Sequence, residues 1–143
     1  MPIRPPEFDL LANELAPLLI NLPPKVIAVS GSMLAGKTTF ARFLAWYFNI
    51  PLIESDFYLI PNQGFTYDVS EIDRIISFRK KLSRPVIVEG FCVLKTLAEI
   101  QTPPDIVIYV QNKLDNNIDE KLDCIQDYLG FNDAAYYKLK VSH

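Results

Sequence analysis

The chain has 143 residues, half of them apolar, with a net charge of -3. That is enough for one domain with a real core and too little for two ordinary ones. An acidic balance, with no Lys/Arg run longer than Arg79-Lys80-Lys81, argues against the clustered cations that a nucleic-acid groove needs, and no stretch approaches the roughly 18 to 20 apolar residues of a membrane span.

The start, MPIRPPEFDLL, has prolines and acids where a signal peptide has its apolar core, so a cytoplasmic protein is expected. Cys92 and Cys124 lie far apart outside any C-x-x-C spacing, the usage of a reducing compartment. The only histidine is His143, which argues against a Ser-His or Cys-His pair or a His-based metal site.

In chain order, Glu7 to Asn21 carries Phe8, Leu11, Leu15, Leu18 and Leu19 at mostly helical spacing, with Pro17 expected to kink or interrupt it. Residues 1–24 are read as a helical extension and 25–143 as the main domain. Lys25 to Val29 is a short β-branched run, followed by GSMLAGKTT and then a helix over Thr38 to Phe48. Leu52-Ile53 before Glu54-Ser55-Asp56 gives a second strand, Val86 to Val88 before Glu89-Gly90 a third, and Ile106 to Val110 a fourth. Between the second and third, Ser70-x-x-Asp73 has the form of a capping box opening a helix to about Leu82. A further helix spans about Val93 to Ile100. Apolar strands alternating with helices imply an α/β fold with a parallel sheet covered on both faces. Ligands of such sheets sit beyond the carboxyl ends of the strands, where the glycine loop, Glu54 to Asp56 and Glu89-Gly90 all fall.

Gly31, Gly36, Lys37 and Thr38 fit the phosphate-loop spacing G-x-x-x-x-G-K-[ST] without mismatch. Successive backbone N–H groups there, including those of Ser32 and Ala35, can cradle phosphates when glycines keep side chains out of the way. Lys37 reaches the outer phosphates, the Thr38 hydroxyl ligates Mg²⁺, and Thr39 touches the inner phosphate. Mg²⁺ is also steered by a carboxylate at the end of a neighbouring strand, and Glu89 in VIVEG is placed for it. The Glu54-Ser55-Asp56 ending is the candidate for the base that accepts a hydroxyl proton. Asp68, after the turn-like Pro61-Asn62-Gln63-Gly64, is either a contact to sugar hydroxyls or solvated loop.

Together, VIAVSGSMLAGKTTFARFLA, IESDFY, TYDVSEID and VIVEGFCVL resemble the uridine kinase and phosphoribulokinase family over about Lys25 to Val110. The resemblance implies a P-loop kinase sheet of four or five strands, order 2-3-1-4(-5). It implies ATP and Mg²⁺ as cofactors, and transfer of the γ-phosphoryl group to a hydroxyl of a small metabolite, a nucleoside or riboside. Lys37, Thr38 and Thr39 match the family's phosphate loop, and Glu89 its Mg²⁺-directing glutamate. Tyr67-Asp68 looks like the pair whose aspartate contacts the acceptor, with Tyr58 beside it. An ungapped match sets Ser55 at the family's base. Asp56, which unlike a serine can accept a proton at neutral pH, is assigned that role together with Lys37 as the catalytic pair. Glu54-x-Asp56 is also similar to the Asp-x-Asp of shikimate kinases.

One departure stands out. Family members carry lid arginines after the fourth strand, whereas Arg4, Arg42, Arg74, Arg79 and Arg84 all precede that region here. The tail offers Lys113, Lys121, Lys138 and Lys140, which cannot make the planar two-point phosphate contact of arginine. A reduced or atypical lid is therefore expected, and a nucleotide-binding protein without efficient transfer is the alternative to a kinase. Subunit association, with Arg42 or Arg74 supplied by a neighbour, stays open.

Overall fold

A computed structural model describes residues 5–31, 35–64, 66–112 and 134–141. Five strands form one parallel sheet in the order β2-β3-β1-β4-β5: β1 Val26–Gly31, β2 Leu52–Glu54, β3 Val86–Glu89, β4 Ile106–Asn112 and β5 Ala135–Val141. The helices are α1 Pro6–Leu19, α2 Lys37–Phe48, α3 Val69–Lys81 and α4 Val93–Glu99. A short 3-10 turn, Ser55–Tyr58, follows β2.

Both faces of the sheet are covered, which is why β1 and β3 are buried at every residue and show no alternation. One core joins α1 and α2 to the sheet through Phe8, Leu15, Phe40, Leu44, Ile27 and Ile108. The other joins α3 and α4 through Ile72, Ile76, Val93, Leu97, Val88 and Tyr109. The N-terminal helix thus packs on the body, with the Phe8 ring edge-on to Phe40 at 5.0 Å between centroids. Pro17 does not interrupt it. The proline sits in the last turn, and Ile20 N–H still reaches the Ala16 carbonyl at 2.9 Å beyond it.

One local expectation changes, and one left open is filled in. The cap of α3 is Asp68, not Ser70: its Oδ1 accepts from Glu71 N–H at 3.2 Å and from the Ser70 hydroxyl at 2.8 Å. The Asp68-x-x-Glu71 spacing thus places the cap two residues earlier. Secondly, the fifth strand is Ala135–Val141, in register along all of β4. Its sequence offers the alternation Lys138, Leu139, Lys140, Val141, exposed and buried in turn, the pattern of a half-covered edge strand.

Candidate functional site

The carboxyl edge of the sheet gathers the residues singled out by their motifs. β1 ends at Gly31, and α2 begins at Lys37 behind Gly36, whose φ is 91°. Ser32 lies outside the described residues, as do Lys113, Lys121 and Cys124. Gly31 has a different reason to be glycine from the one expected: a Cβ there would lie 2.1 Å from the Val110 carbonyl oxygen. Its bareness serves the close approach of β1 to β4 before it serves a phosphate. Ala35 is fully buried in the α1–α2 core, so that its side chain anchors the loop's exit.

Lys37 and Thr38 are half-buried in the first turn of α2, and Thr39 is exposed. The Thr38 hydroxyl donates to Glu89 Oε1 at 2.9 Å. Glu89, only 1% exposed, is the end of β3. Burial pushes its carboxyl above the ordinary range, while the Thr38 hydrogen bond and the Lys37 cation oppose the rise and the charges of Asp56 and Glu54 add to it. A buried carboxylate held by a hydroxyl is an all-oxygen pair suited to a hard cation such as Mg²⁺, which would relieve the cost of burying its charge. When bound there, such a cation would supply charge neutralisation at phosphate oxygens.

β2 brings the second polar ending. Glu54 is the register partner of Glu89, and Arg42 Nε donates to Glu54 Oε1 at 2.5 Å. Arg42 is therefore engaged within its own chain, and Arg74 pairs with Glu71 at 2.5 Å. Ser55 and Asp56 part company: Ser55 is fully buried and Asp56 exposed. Ser55 sits so close to Gly90 that a Cβ at residue 90 would lie 1.7 Å from its Oγ. That Oγ forms no hydrogen bond among the described residues. At the adjacent Tyr67, burial raises the phenol, and the nearby Ser55 hydroxyl partly offsets the rise. The Asp56 charge reaches both Tyr67 and Glu89.

From Tyr58 the chain runs out and returns at Tyr67. Leu59 and Tyr67 form an antiparallel bridge, Asp68 N–H donates to the Tyr58 carbonyl at 2.6 Å, and Ile60 N–H donates to the Thr66 carbonyl at 2.8 Å. This closure brings Tyr67 and Asp68 back beside the end of β2. Tyr58 and Tyr67 are half-buried, and Asp68 is exposed while capping α3. The Tyr67 hydroxyl points at the Phe91 carbonyl, 3.5 Å away. Behind it lies a cavity of about 230 Å³, lined by Tyr67, Phe91, Cys92, Lys95, Thr96 and Glu99 among others.

The motif residues therefore meet at one edge as two groups: Lys37, Thr38 and Glu89 on the loop side, Asp56, Tyr58, Tyr67 and Asp68 on the other. The sequence reading missed the Arg42–Glu54 pair and the cavity under Phe91. The first had a signal, since Arg42 is one helical turn beyond Thr38 and Glu54 ends its strand as Glu89 ends the next. The cavity had none, because it arises only where α4 meets the returning loop.

The fold is that of P-loop kinases. A sugar kinase from Janibacter sp. HTCC2649 matches with a TM-score of 0.56 at 15% identity, covering 82% of this chain and 86% of that one. A possible uridine kinase from Bacillus stearothermophilus matches with a TM-score of 0.57 at 12% identity, covering 92% and 97%. Shikimate kinase from Acinetobacter baumannii, in complex with shikimate, matches at 0.52 and 19% identity, covering 90% and 88%. No protein-family profile matches the chain, and no curated protein is similar to it in sequence. Among the described residues, no helix is long and apolar enough to cross a membrane.

Proposed function

We propose that the protein transfers the γ-phosphoryl group of ATP to a hydroxyl of a small metabolite, with a nucleoside or riboside as the acceptor. The observation that carries this reading is the separation of labour along one sheet edge. A buried Thr38–Glu89 pair stands behind the phosphate loop, and the exposed carboxylate of Asp56 lies within its field on the acceptor side. A protein that only bound nucleotide would need the first and not the second.

In this reading Lys37 and the backbone of the loop hold the phosphates, and Thr38 and Glu89 would hold Mg²⁺, which would supply charge neutralisation at the phosphate oxygens. Asp56 accepts the acceptor's hydroxyl proton as that oxygen bonds to the γ-phosphorus. The bond from the γ-phosphorus to the β–γ bridging oxygen breaks, and ADP leaves with its electron pair. Ser55, buried under Gly90, has no route to an acceptor, which favours Asp56 as the base. Tyr67 and Phe91 give the neighbouring cavity ring walls, and its modest volume suits a single small ring.

The test is ADP release from Mg-ATP against a panel of nucleosides, ribosides, pantothenate and sugars. The expected result is stimulation by at least one acceptor, lost in Lys37→Ala. Mg-ATP binding without stimulation by any of them would instead mark a regulatory P-loop protein.

A further inference from the structure

Residues 38 and 42, one turn apart on α2, hold two carboxylates at the ends of adjacent strands. Thr38 Oγ1 donates to Glu89 Oε1 at 2.9 Å, and Arg42 Nε donates to Glu54 Oε1 at 2.5 Å. Glu54 and Glu89 are register partners in a parallel pair, so both side chains leave the same face of the sheet. They differ in burial. Glu89 is 1% exposed, the Glu54 side chain 14% and the Arg42 side chain 62%, so the guanidinium reaches in from solvent to the outer carboxylate. The Glu89 charge, after that of Glu54, also favours the Arg42 cation.

Two neighbouring carboxylates are what a hard divalent cation seeks. Here one of the two is already neutralised by an arginine. Among the described residues no three His, Cys, Asp or Glu side chains converge into a metal-holding group, so those residues alone offer a cation too few oxygens. The remainder of a six-oxygen shell has to come from phosphate and water.

We infer that Arg42 is a charge-balancing and positioning residue, which by occupying Glu54 keeps the Thr38–Glu89 end of the sheet from capturing a free divalent cation, so that the metal enters only with a nucleotide. The inference rests on the reading of Thr38 and Glu89 as the cation end of the site, and on no assumption about the acceptor. It predicts a gain of binding from a loss of side chain. Releasing Glu54 places a second uncompensated carboxylate beside Glu89, and one unit charge near a protein surface is worth about a five-fold or larger change in affinity for a divalent ion.

The experiment is a titration of the nucleotide-free full chain with Mn²⁺, read by the electron paramagnetic resonance of the free ion. Arg42→Lys retains the charge and should match the wild type, though it loses the guanidinium geometry. Arg42→Gln should bind Mn²⁺ about five-fold tighter or more. The double variant Arg42→Gln/Glu54→Gln should return close to the wild type, and Arg42→Gln/Glu89→Gln should lose the gain. An Arg42→Gln variant that binds Mn²⁺ no better than the wild type overturns the inference. So does a gain that survives either second substitution. A purely structural ion pair would loosen the site or leave it unchanged, and would not tighten it. Failure of the kinase reading shows instead in the acceptor panel with Mg-ATP, where this titration has no part.

Discussion

On the proposed phosphate side of the site, Thr38 and Glu89 are fixed by buried strands and by a helix with Phe40, Ala41, Phe43 and Leu44 in the core. On the proposed acceptor side, Asp56, Tyr58 and Tyr67 hang from a 3-10 turn and a loop closed by its own backbone hydrogen bonds. The first group is held by the fold, and the second by a local clasp and one close contact, Ser55 against Gly90. Phosphates look alike across nucleotides and acceptors do not, so rigidity on one side and local support on the other is the division that the proposed transfer would call for.

The comparison is broken most severely at Asp56. Asp56→Asn should lower acceptor-stimulated ADP release by about 10² to 10⁴-fold, the usual worth of a general base. Mg-ATP affinity measured by calorimetry should stay unchanged, and equal losses in both would erase the distinction between the two sides. Gly90→Ala comes next, because the new methyl collides with Ser55. Overpacking of this kind costs about 1 to 3 kcal/mol, read as a lower urea midpoint. Ser55→Ala in the same chain should restore only part of it, since the Ser55 Cβ would still lie 2.9 Å from the added carbon.

Asp68→Ala should cost about 1 kcal/mol through loss of the α3 cap. If Asp68 also contacts the acceptor, the acceptor KM rises in Asp68→Ala while Ser70→Ala leaves it unmoved. The smallest effect is a stabilisation. Because burial raises the Glu89 carboxyl above its ordinary 4.5, the folded chain holds a proton that the unfolded chain has lost. Stability of the nucleotide-free protein therefore falls as pH rises from about 4.5 through the raised value, and stays lower above it. Glu89→Gln should remove that slope and slightly stabilise the protein at pH 7, at the expense of Mg²⁺-dependent nucleotide binding. Thermal midpoints of both proteins from pH 4 to 8 give the comparison.

The phosphate side was legible because its chemistry is written in consecutive residues: GSMLAGKTT fixes both a spacing and a strand-to-helix junction, and VIVEG a buried run with a carboxylate at its end. The sheet order followed from resemblance, and the observed β2-β3-β1-β4-β5 order agrees with it. The acceptor side was less legible, since its geometry depends on contacts across sequence. Nothing in Glu54-Ser55-Asp56 says which residue faces inward. Gly90, more than thirty positions later, decides it by leaving room for Ser55 alone. The α3 cap was misplaced because Ser70 and Asp68 are both good caps, and the returning loop brings Asp68 into place by tying its N–H to the Tyr58 carbonyl. The fifth strand was left open, as one of four or five, because its apolar positions alternate with two exposed lysines and give no continuous apolar run like that of β4.

The clasp formed by Leu59 and Tyr67 has a consequence for how such a chain can change. Its two ends are stapled together below an exposed tip at Pro61 to Gly64, with the Gln63 and Ile60 backbones already turning back on themselves. Extra residues grafted at that tip leave the flanking tyrosines where they are, and doubling the span costs only about 0.6 kcal/mol of closure entropy. The tip is thus a natural insertion port, where a recognition peptide or a fluorescent reporter can be carried beside the Tyr67 cavity without redrawing the sheet that supports it.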